Sequence, residues 1–210
     1  MKLSIRAILI FALVSLSTLH SWASSNSGIA DDAARFESMV MAPAVSQKAS
    51  AALARHIETI REGFASKHFN ATKVNNQPIV KITIPASEFF APNSASLDNA
   101  AYERLMYFRH ALTHPEYYRL VVAVHTDDTG DDQYSQSITE ARAQAIKHGF
   151  DKIATDANVK PNVSYFALGK QLALNHNSTM TERATNRRIE VYIIPTNKVI
   201  DNILASKTPA

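Results

Sequence analysis

Three features of the sequence predict an α/β fold (more narrowly α+β), in which helices pack on one sheet. Ile79–Ile84 and Ile189–Ile193 alternate apolar and polar side chains, which is the pattern of a half-buried strand. Tyr118–Val124 and Val163–Leu168 are mostly apolar runs of strand length. Stretches with apolar residues three or four positions apart separate these runs, giving the order βαβαββ after an N-terminal amphipathic helix.

The N-terminal 23 residues predict a secretory signal. Lys2 and Arg6 form a basic start, an apolar stretch follows, and Ser21-Trp22-Ala23 resembles a small-x-small cleavage site. The apolar stretch is shorter than the roughly 20 residues that a membrane-spanning helix needs. We therefore expect a cleaved signal peptide, with an uncleaved membrane anchor as the alternative.

Residues 24–78 are predicted to be a spacer that contains the amphipathic helix. A short helix is expected around Asp31–Met39. Ser46 is a suitable N-cap for a second helix reaching Phe69. Its apolar stripe is spaced by three and four residues and consists of Leu53, Ile57, Ile60 and Phe64. The stripe predicts packing on the main domain or, alternatively, pairing with a partner helix.

The main domain is predicted to span residues 79–196, followed by a tail over 197–210. Its first strand ends at Pro85, and the first helix of the main domain is expected over Asp98–Leu112, stopped before Pro115. The next helix is expected over Ser135–Ile153. Its predicted apolar face consists of Ile138, Ala141, Ala145 and Ile146. Gly149 is expected to weaken this helix near its end.

Composition excludes several classes of protein. The chain has no cysteine, which rules out disulfides, thiolate metal sites, a cysteine nucleophile and a lipidated N-terminal cysteine. Its formal charge is +3, but the signal segment carries two of the cations, so the remainder is about +1. A nucleic-acid partner is therefore not expected.

The segment from Val121 to Ala143 holds the most suggestive pair of charges. It reads as a strand, an acidic loop and the start of a helix. Asp127 follows the strand, and Arg142 lies fifteen residues later in the helix. A carboxylate and a planar guanidinium in one site can hold the ammonium and the carboxylate of a small zwitterion.

Four collinear blocks give this region a family resemblance. The blocks are Phe90…Ser94…Leu97, His125-Thr126-Asp127…Gly130, Tyr134…Ile138-Thr139…Arg142-Ala143, and Asn177…Thr179…Arg183…Asn186-Arg187-Arg188-Ile189-Glu190. In order and spacing, the chain from about Val80 to Pro195 resembles the OmpA-like C-terminal domain. This is the peptidoglycan-binding module of outer-membrane proteins, peptidoglycan-associated lipoproteins and flagellar stator proteins.

The resemblance implies a role for each block. In the family, the residues matching Asp127 and Arg142 hold the meso-diaminopimelate of the peptidoglycan stem peptide. The same comparison predicts a supporting loop and a set of structural residues. The supporting loop consists of Phe90, Ser94, Thr126 and Asp128. The structural residues are His125, Asn186, Arg187 and Arg188.

The chain departs from the family pattern at several positions. Val124 replaces a glycine, Ser135 replaces an asparagine, and Ile138-Thr139 replaces a Leu-Ser pair. Ala167-Leu168-Gly169 occupies the position of a Gly-x-Gly motif, and Ala173 replaces a proline. None of these removes the charged pair, but they leave the shape of the loop and the affinity open.

Simpler roles compete with these assignments. Asp127 could cap a turn, and Arg142 could pair with Glu140 or Asp131 on an exposed helix face. The acidic loop lacks the ligand pattern of a calcium-binding EF-hand, and no metal or other cofactor is predicted. His110 and His114 are expected to be a surface pair. No catalytic motif is present, so an enzyme is not expected.

The predicted function is non-covalent binding of peptidoglycan through diaminopimelate, which would anchor the protein to the cell wall. We expect a periplasmic protein of a Gram-negative bacterium, peripheral to the outer membrane, with no membrane span in the mature chain. The alternative is a component of an envelope assembly, of motor or secretion type. In that case helix 46–69 would contact a protein partner.

Overall fold

A computed structural model describes residues 32–75 and 77–206. The predicted signal segment lies outside these residues. Within the described part of the chain, no helix combines the length and the apolarity needed to cross a membrane.

A five-stranded mixed sheet forms the centre of the fold. Its strands are β1 (Asn70–Lys73), β2 (Val80–Pro85), β3 (Tyr118–Val124), β4 (Val163–Ala167) and β5 (Arg188–Pro195). Their order across the sheet is β1-β2-β5-β3-β4. Only β3 and β4 form a parallel pair, and the other neighbouring pairs are antiparallel. The predicted βαβαββ core and α/β class are therefore confirmed.

Helices flank the sheet. They are α1 (residues 32–39), α2 (Gln47–Ala65), α3 (Asn99–Leu105), α4 (Arg109–Thr113), α5 (Asp132–Thr155), α6 (Met180–Asn186) and α7 (Asn197–Ala205). The expected single helix over 98–112 is divided, since a 3-10 turn at Met106–Phe108 separates α3 from α4. Asp98 caps α3 by accepting a 2.7 Å hydrogen bond from Ala101 N.

The α2 stripe packs on the domain itself. Leu53, Ile57 and Phe64 are buried in the main apolar core, where Phe64 contacts Phe108. Ser46 stands at the N-cap, although its side chain makes no capping hydrogen bond. Burial of this stripe favours the first of the two packing alternatives.

The spacer contributes more to the sheet than the sequence indicated. Asn70–Lys73, which the sequence analysis left within the spacer, pairs antiparallel with β2 as an edge strand. Its residues are mostly exposed, so it lacks the apolar alternation that marks β2. Pairing with a neighbouring strand, rather than its own sequence, makes it a strand.

The N-terminal segment covers the second face of the sheet. Phe36 of α1 is buried and contacts the rings of Phe166 and Tyr192. Arg119 donates hydrogen bonds of 2.6 and 2.9 Å to the main-chain oxygens of Met39 and Met41. All eight residues of β5 are buried, including those that the alternation assigned to an exposed face, and on that face Phe36 packs against Tyr192.

The buried face of α5 differs from the predicted one. Ala141 is exposed, while Thr139, Arg142 and Phe150 are buried. Gly149 is buried where α5 meets α3, and a Cβ there would lie 2.5 Å from Leu105 Cδ1. The glycine therefore permits close helix packing. Its low helix propensity alone would favour replacement by alanine, but the contact with Leu105 makes that replacement unfavourable.

Residues 197–205, assigned to the C-terminal tail, form α7. Val199 and Ile200 are buried in the main core, and α7 packs against α2. The C-terminal helix α7 thus lies with α2 on the main-core face of the sheet, opposite the face that α1 covers.

Candidate ligand-binding site

A small charged pocket lies between the loop after β3, the N-terminal half of α5 and the loop after β2. It encloses about 290 Å³, and its lining includes Phe90, Asp127, Tyr134, Arg142 and Arg187. Ligand pockets for drug-sized molecules span about 300–1,000 Å³. The space therefore suits a group the size of one amino-acid residue.

Asp127 presents its carboxylate at one end of the pocket. The residue is 3% exposed. Oδ1 accepts a 3.0 Å hydrogen bond from Thr129 N, which is the turn-capping role considered from the sequence. Oδ2 forms an ion pair with Nη1 of Arg187. Its direct charged partner is therefore Arg187 and not Arg142.

Arg142 points into the same pocket from α5. Nε donates a 2.9 Å hydrogen bond to Ser94 O, and the guanidinium lies 5.1 Å from the centre of the Phe90 ring. Among the described residues, no carboxylate lies within ion-pair distance of it. Burial lowers the pKa of Arg142 below its usual value, because a desolvated cation is costly. A buried guanidinium without an anion is suited to bind one.

The alternative partners of Arg142 have other roles. Glu140 accepts a hydrogen bond from Gln136 Nε2. Asp131 caps α5, since its Oδ1 accepts from Tyr134 N at 2.7 Å. Neither carboxylate is directed at Arg142.

Tyr134 and Asn93 close one side of the pocket. Tyr134 OH donates a 2.9 Å hydrogen bond to Asn93 Oδ1, which joins α5 to the loop after β2. Asn93 has a φ of +55°, a conformation that asparagine tolerates better than most residues. Neither residue was singled out from the sequence as a site residue.

The predicted supporting residues have different positions. Phe90 and Thr126 line the pocket, whereas Ser94 contributes its main-chain oxygen to Arg142. The Thr126 amide donates to Gly169 O at 2.8 Å and is therefore occupied within the protein. Asp128 is exposed, does not line the pocket and lies 3.5 Å from Arg183 Nε.

The four residues predicted to be structural separate into two groups. Asn186 is fully buried and holds the preceding loop, bonding Leu174 N, Asn175 O and Asn177 Oδ1 at 2.7–3.0 Å. Arg188 is buried and donates to Glu190 Oε1 and to Leu172 O. Arg187, in contrast, lies at the pocket with its side chain 42% exposed. Its side chain lies beside the Asp127 carboxylate.

His125 lies at the start of the loop after β3, two residues before Asp127. Nδ1 is 3.2 Å from Gln171 O, while Nε2 is buried without a hydrogen-bond partner, 3.8 Å from Glu190 Oε2. Burial, as the largest cause, lowers the pKa of His125 to about 4. The imidazole is therefore neutral at physiological pH, and Phe36 covers it from the other side.

Among the family departures, Ile138 lines the pocket, whereas Val124 and Thr139 do not. Val124 is fully buried, with its side chain in the main core. Thr139 Oγ1 accepts a 3.2 Å hydrogen bond from Gly169 N, and Gly169 has a φ of +52°. The hydroxyl at position 139 thus ties α5 to the loop after β4.

The remaining polar clusters have structural explanations. Asp132 of the acidic loop pairs with Lys170 at 2.5 Å. Each carboxylate of this loop therefore has its own partner, since Asp128 lies near Arg183 and Asp131 accepts from Tyr134 N. His110 and His114 have ring centroids 4.5 Å apart and line a second cavity together with His56. Within the described ranges, no group of three or more His, Cys, Asp and Glu side chains is arranged to hold a metal ion.

A larger groove lies between α2 and the β1–β2 hairpin. It encloses about 710 Å³, but Lys73 is the one charged side chain among its described lining. The small pocket, with three charged side chains, is the better candidate for selective binding.

Comparison with known proteins agrees with the fold. Residues 89–187 match the model of the OmpA family. A MotB-like protein from Desulfovibrio vulgaris superimposes with a TM-score of 0.57 at 17% sequence identity, covering 68% of this chain and 94% of that chain.

Two further structures are similar in part. The cell wall anchor of the T6SS from Pseudomonas aeruginosa has a TM-score of 0.48 and 21% identity, with coverage of 68% and 96% of the two chains. The periplasmic domain of Helicobacter pylori MotB has a TM-score of 0.49 and 15% identity, with coverage of 66% and 92%. No curated protein matches the chain.

The sheet and its helices position a small pocket with charges of both signs. The match of residues 89–187 to the OmpA family confirms the resemblance that the four blocks carry. Domains of this family bind or anchor and are not enzymes.

Proposed function

We propose that this protein binds peptidoglycan through the free amino-acid head of diaminopimelate and thereby attaches to the cell wall in the periplasm. One observation carries the proposal. Arg142 is a buried guanidinium that faces a pocket of amino-acid size and has no anionic partner there among the described residues.

The electrostatics of the pocket support a zwitterionic ligand. Transferring a cation out of water is costly unless an anion compensates it. A ligand carboxylate at Arg142 would supply that compensation. An ammonium would be attracted to Asp127, whose carboxylate lines the same pocket.

The rigidity of the site supports specific recognition. The hydrogen bond to Ser94 O and the stacking on Phe90 fix the plane of the Arg142 guanidinium. Asp127 is held by the Thr129 amide. A site with fixed geometry binds without the cost of ordering its side chains.

The comparisons support the same proposal at a coarser level. Residues 89–187 match the model of the OmpA family, and anchoring to the wall is consistent with that match.

Co-sedimentation with purified sacculi tests the proposal. The variants Asp127→Asn and Arg142→Gln are expected to lose roughly ten- to a hundredfold in affinity, because each breaks a charge-assisted contact of about 1.5–3 kcal/mol. Asp156→Asn and Arg109→Gln, at exposed positions outside the pocket, are the matched controls. Full retention of binding by both site variants would refute the assignment.

The alternative role in an envelope assembly required a protein partner for helix 46–69. The apolar stripe of α2 is buried against the domain and so is not available to a partner helix. Any contact through α2 would have to use its exposed polar face. Crosslinking in cells would reveal such a contact.

A further inference from the structure

The pocket carries more positive charge than a simple amino-acid head requires. Its charged lining consists of one carboxylate, Asp127, and two guanidiniums, Arg142 and Arg187. An amino-acid head has one ammonium and one carboxylate, and its net charge is zero. Binding such a head would leave the pocket with an uncompensated positive charge.

Arg187 is the guanidinium that an ammonium would displace. Arg187 neutralises Asp127 through the ion pair of Nη1 with Oδ2. When an ammonium approaches Asp127, the like charge of Arg187 opposes it. Arg187 follows α6, and its side chain is 42% exposed. The guanidinium can therefore turn at the pocket without disturbing the buried core.

The chemistry of diaminopimelate offers a second anion. In a stem tripeptide, the head supplies one ammonium and one carboxylate, and the other end of the same residue supplies the chain-terminal carboxylate. Further residues or amidation at that end remove this charge from the diaminopimelate. The number of carboxylates then distinguishes one form of the stem peptide from another.

We propose that Arg187 is a specificity-determining residue that reads this second carboxylate. The ligand ammonium takes the place of Arg187 at Asp127, and Arg187 pairs with the chain-terminal carboxylate. The preferred ligand is therefore a stem peptide that ends in diaminopimelate with both carboxyl groups free. This inference rests on the proposed function, since it concerns the same pocket.

Calorimetric titration with two synthetic peptides tests the inference. Both are Ala-γ-Glu-diaminopimelate tripeptides of almost equal size, one with a free terminal carboxylate and one with a terminal amide. The wild-type chain is expected to bind the free acid about tenfold more tightly, because that peptide alone forms the charge-assisted pair with Arg187. Arg187→Gln should reduce the ratio of the two affinities to about one.

The ratio isolates the second carboxylate from other effects of the substitution. Releasing Asp127 from Arg187 alters the binding of the ammonium equally for both peptides, so this effect cancels. Lys170→Gln removes a nearby exposed cation outside the pocket lining and should keep the tenfold ratio. Arg187→Lys keeps the positive charge and should retain part of the preference for the free acid.

The outcomes separate the two proposals. Equal binding of both peptides by the wild type, or an unchanged ratio in Arg187→Gln, would overturn the role of Arg187 while leaving peptidoglycan binding intact. Failure of the wild type to bind either peptide would overturn the proposed function and this inference together.

Discussion

Nε of Arg142 donates a 2.9 Å hydrogen bond to the main-chain oxygen of Ser94, forty-eight residues earlier in the chain. This bond joins α5 to the loop after β2 and orients the guanidinium toward the pocket. The guanidinium of Arg142 is thereby held in a fixed plane by a loop that is distant from it in the sequence.

The plane of Arg142, and not its charge alone, should determine binding. Arg142→Lys keeps the positive charge but loses both the Nε donor and the planar fork that matches a carboxylate. Affinity for the free-acid tripeptide is expected to fall about tenfold or more, as measured by calorimetry. Arg109→Lys, at an exposed position, is the control. Unchanged affinity in Arg142→Lys would show that a point charge suffices.

Two glycines should respond in opposite directions to alanine. At Gly149 a Cβ would meet Leu105 Cδ1 at 2.5 Å within the core, so Gly149→Ala is expected to lower the free energy of unfolding by about 1 kcal/mol. At Gly63 of α2 nothing lies within 4 Å of the added Cβ, and Gly63→Ala should raise it by about 0.5–1 kcal/mol. Urea denaturation measures both. Stabilisation by Gly149→Ala would show that Leu105 moves aside freely.

Acid should destabilise the fold through His125. Its pKa is about 4 in the folded protein, because burial disfavours the imidazolium, against an ordinary value of 6.5. Between these values the unfolded chain binds more protons, so the free energy of unfolding is constant above about pH 6.5 and falls as the pH decreases toward 4. The loss is of the order of 3 kcal/mol.

Urea midpoints between pH 4 and pH 7.5 measure this dependence, and the His125 imidazole can be titrated directly by NMR. His125→Gln should have a flatter profile, whereas His176→Gln, at an exposed position, should follow the wild type. Burial also lowers the pKa of His56 and of His110, and these groups act in the same direction. An imidazole of His125 titrating near 6.5 would contradict the expectation.

Asn186 should be among the most sensitive polar residues of the domain. Its side chain accepts from the Leu174 amide and donates to Asn175 O and to Asn177 Oδ1, all with the residue fully buried. Asn186→Ala leaves these partners unsatisfied, at an expected cost of about 2–4 kcal/mol in urea denaturation. Asn202→Ala, on the exposed side of α7, is the control. A cost under about 1 kcal/mol would indicate that water replaces the amide.

The core strands and the long helices could be predicted because their side chains repeat the geometry of the element. Val80, Ile82 and Ile84 alternate with polar residues and are buried on one face of β2. Leu53, Ile57 and Phe64 follow the helical period and are buried in α2. In these cases local pattern and tertiary burial agree.

Where the prediction was wrong, a neighbouring element had altered the environment. Ala141 belongs to an apolar pattern, yet it is exposed, because α5 turns its Thr139 and Arg142 face toward the loops of the pocket. Asn70–Lys73 has no strand pattern and becomes a strand by pairing with β2. Glu190 and Tyr192 alternate as an exposed face would, yet both are buried, with Phe36 of α1 on the Tyr192 ring and the Tyr192 hydroxyl bonded to Glu190.

The sequence by itself determined the α/β class, the family and the residue types of the charged pair, because these depend on periodicity and on motifs that are local in the chain. Only the tertiary structure decided which groups meet. It pairs Asp127 with Arg187, it ties Arg142 to Ser94, and it leaves the Arg142 guanidinium without a carboxylate among the described residues. These contacts join segments 48 and 60 residues apart, so spacing along the chain carries no information about them.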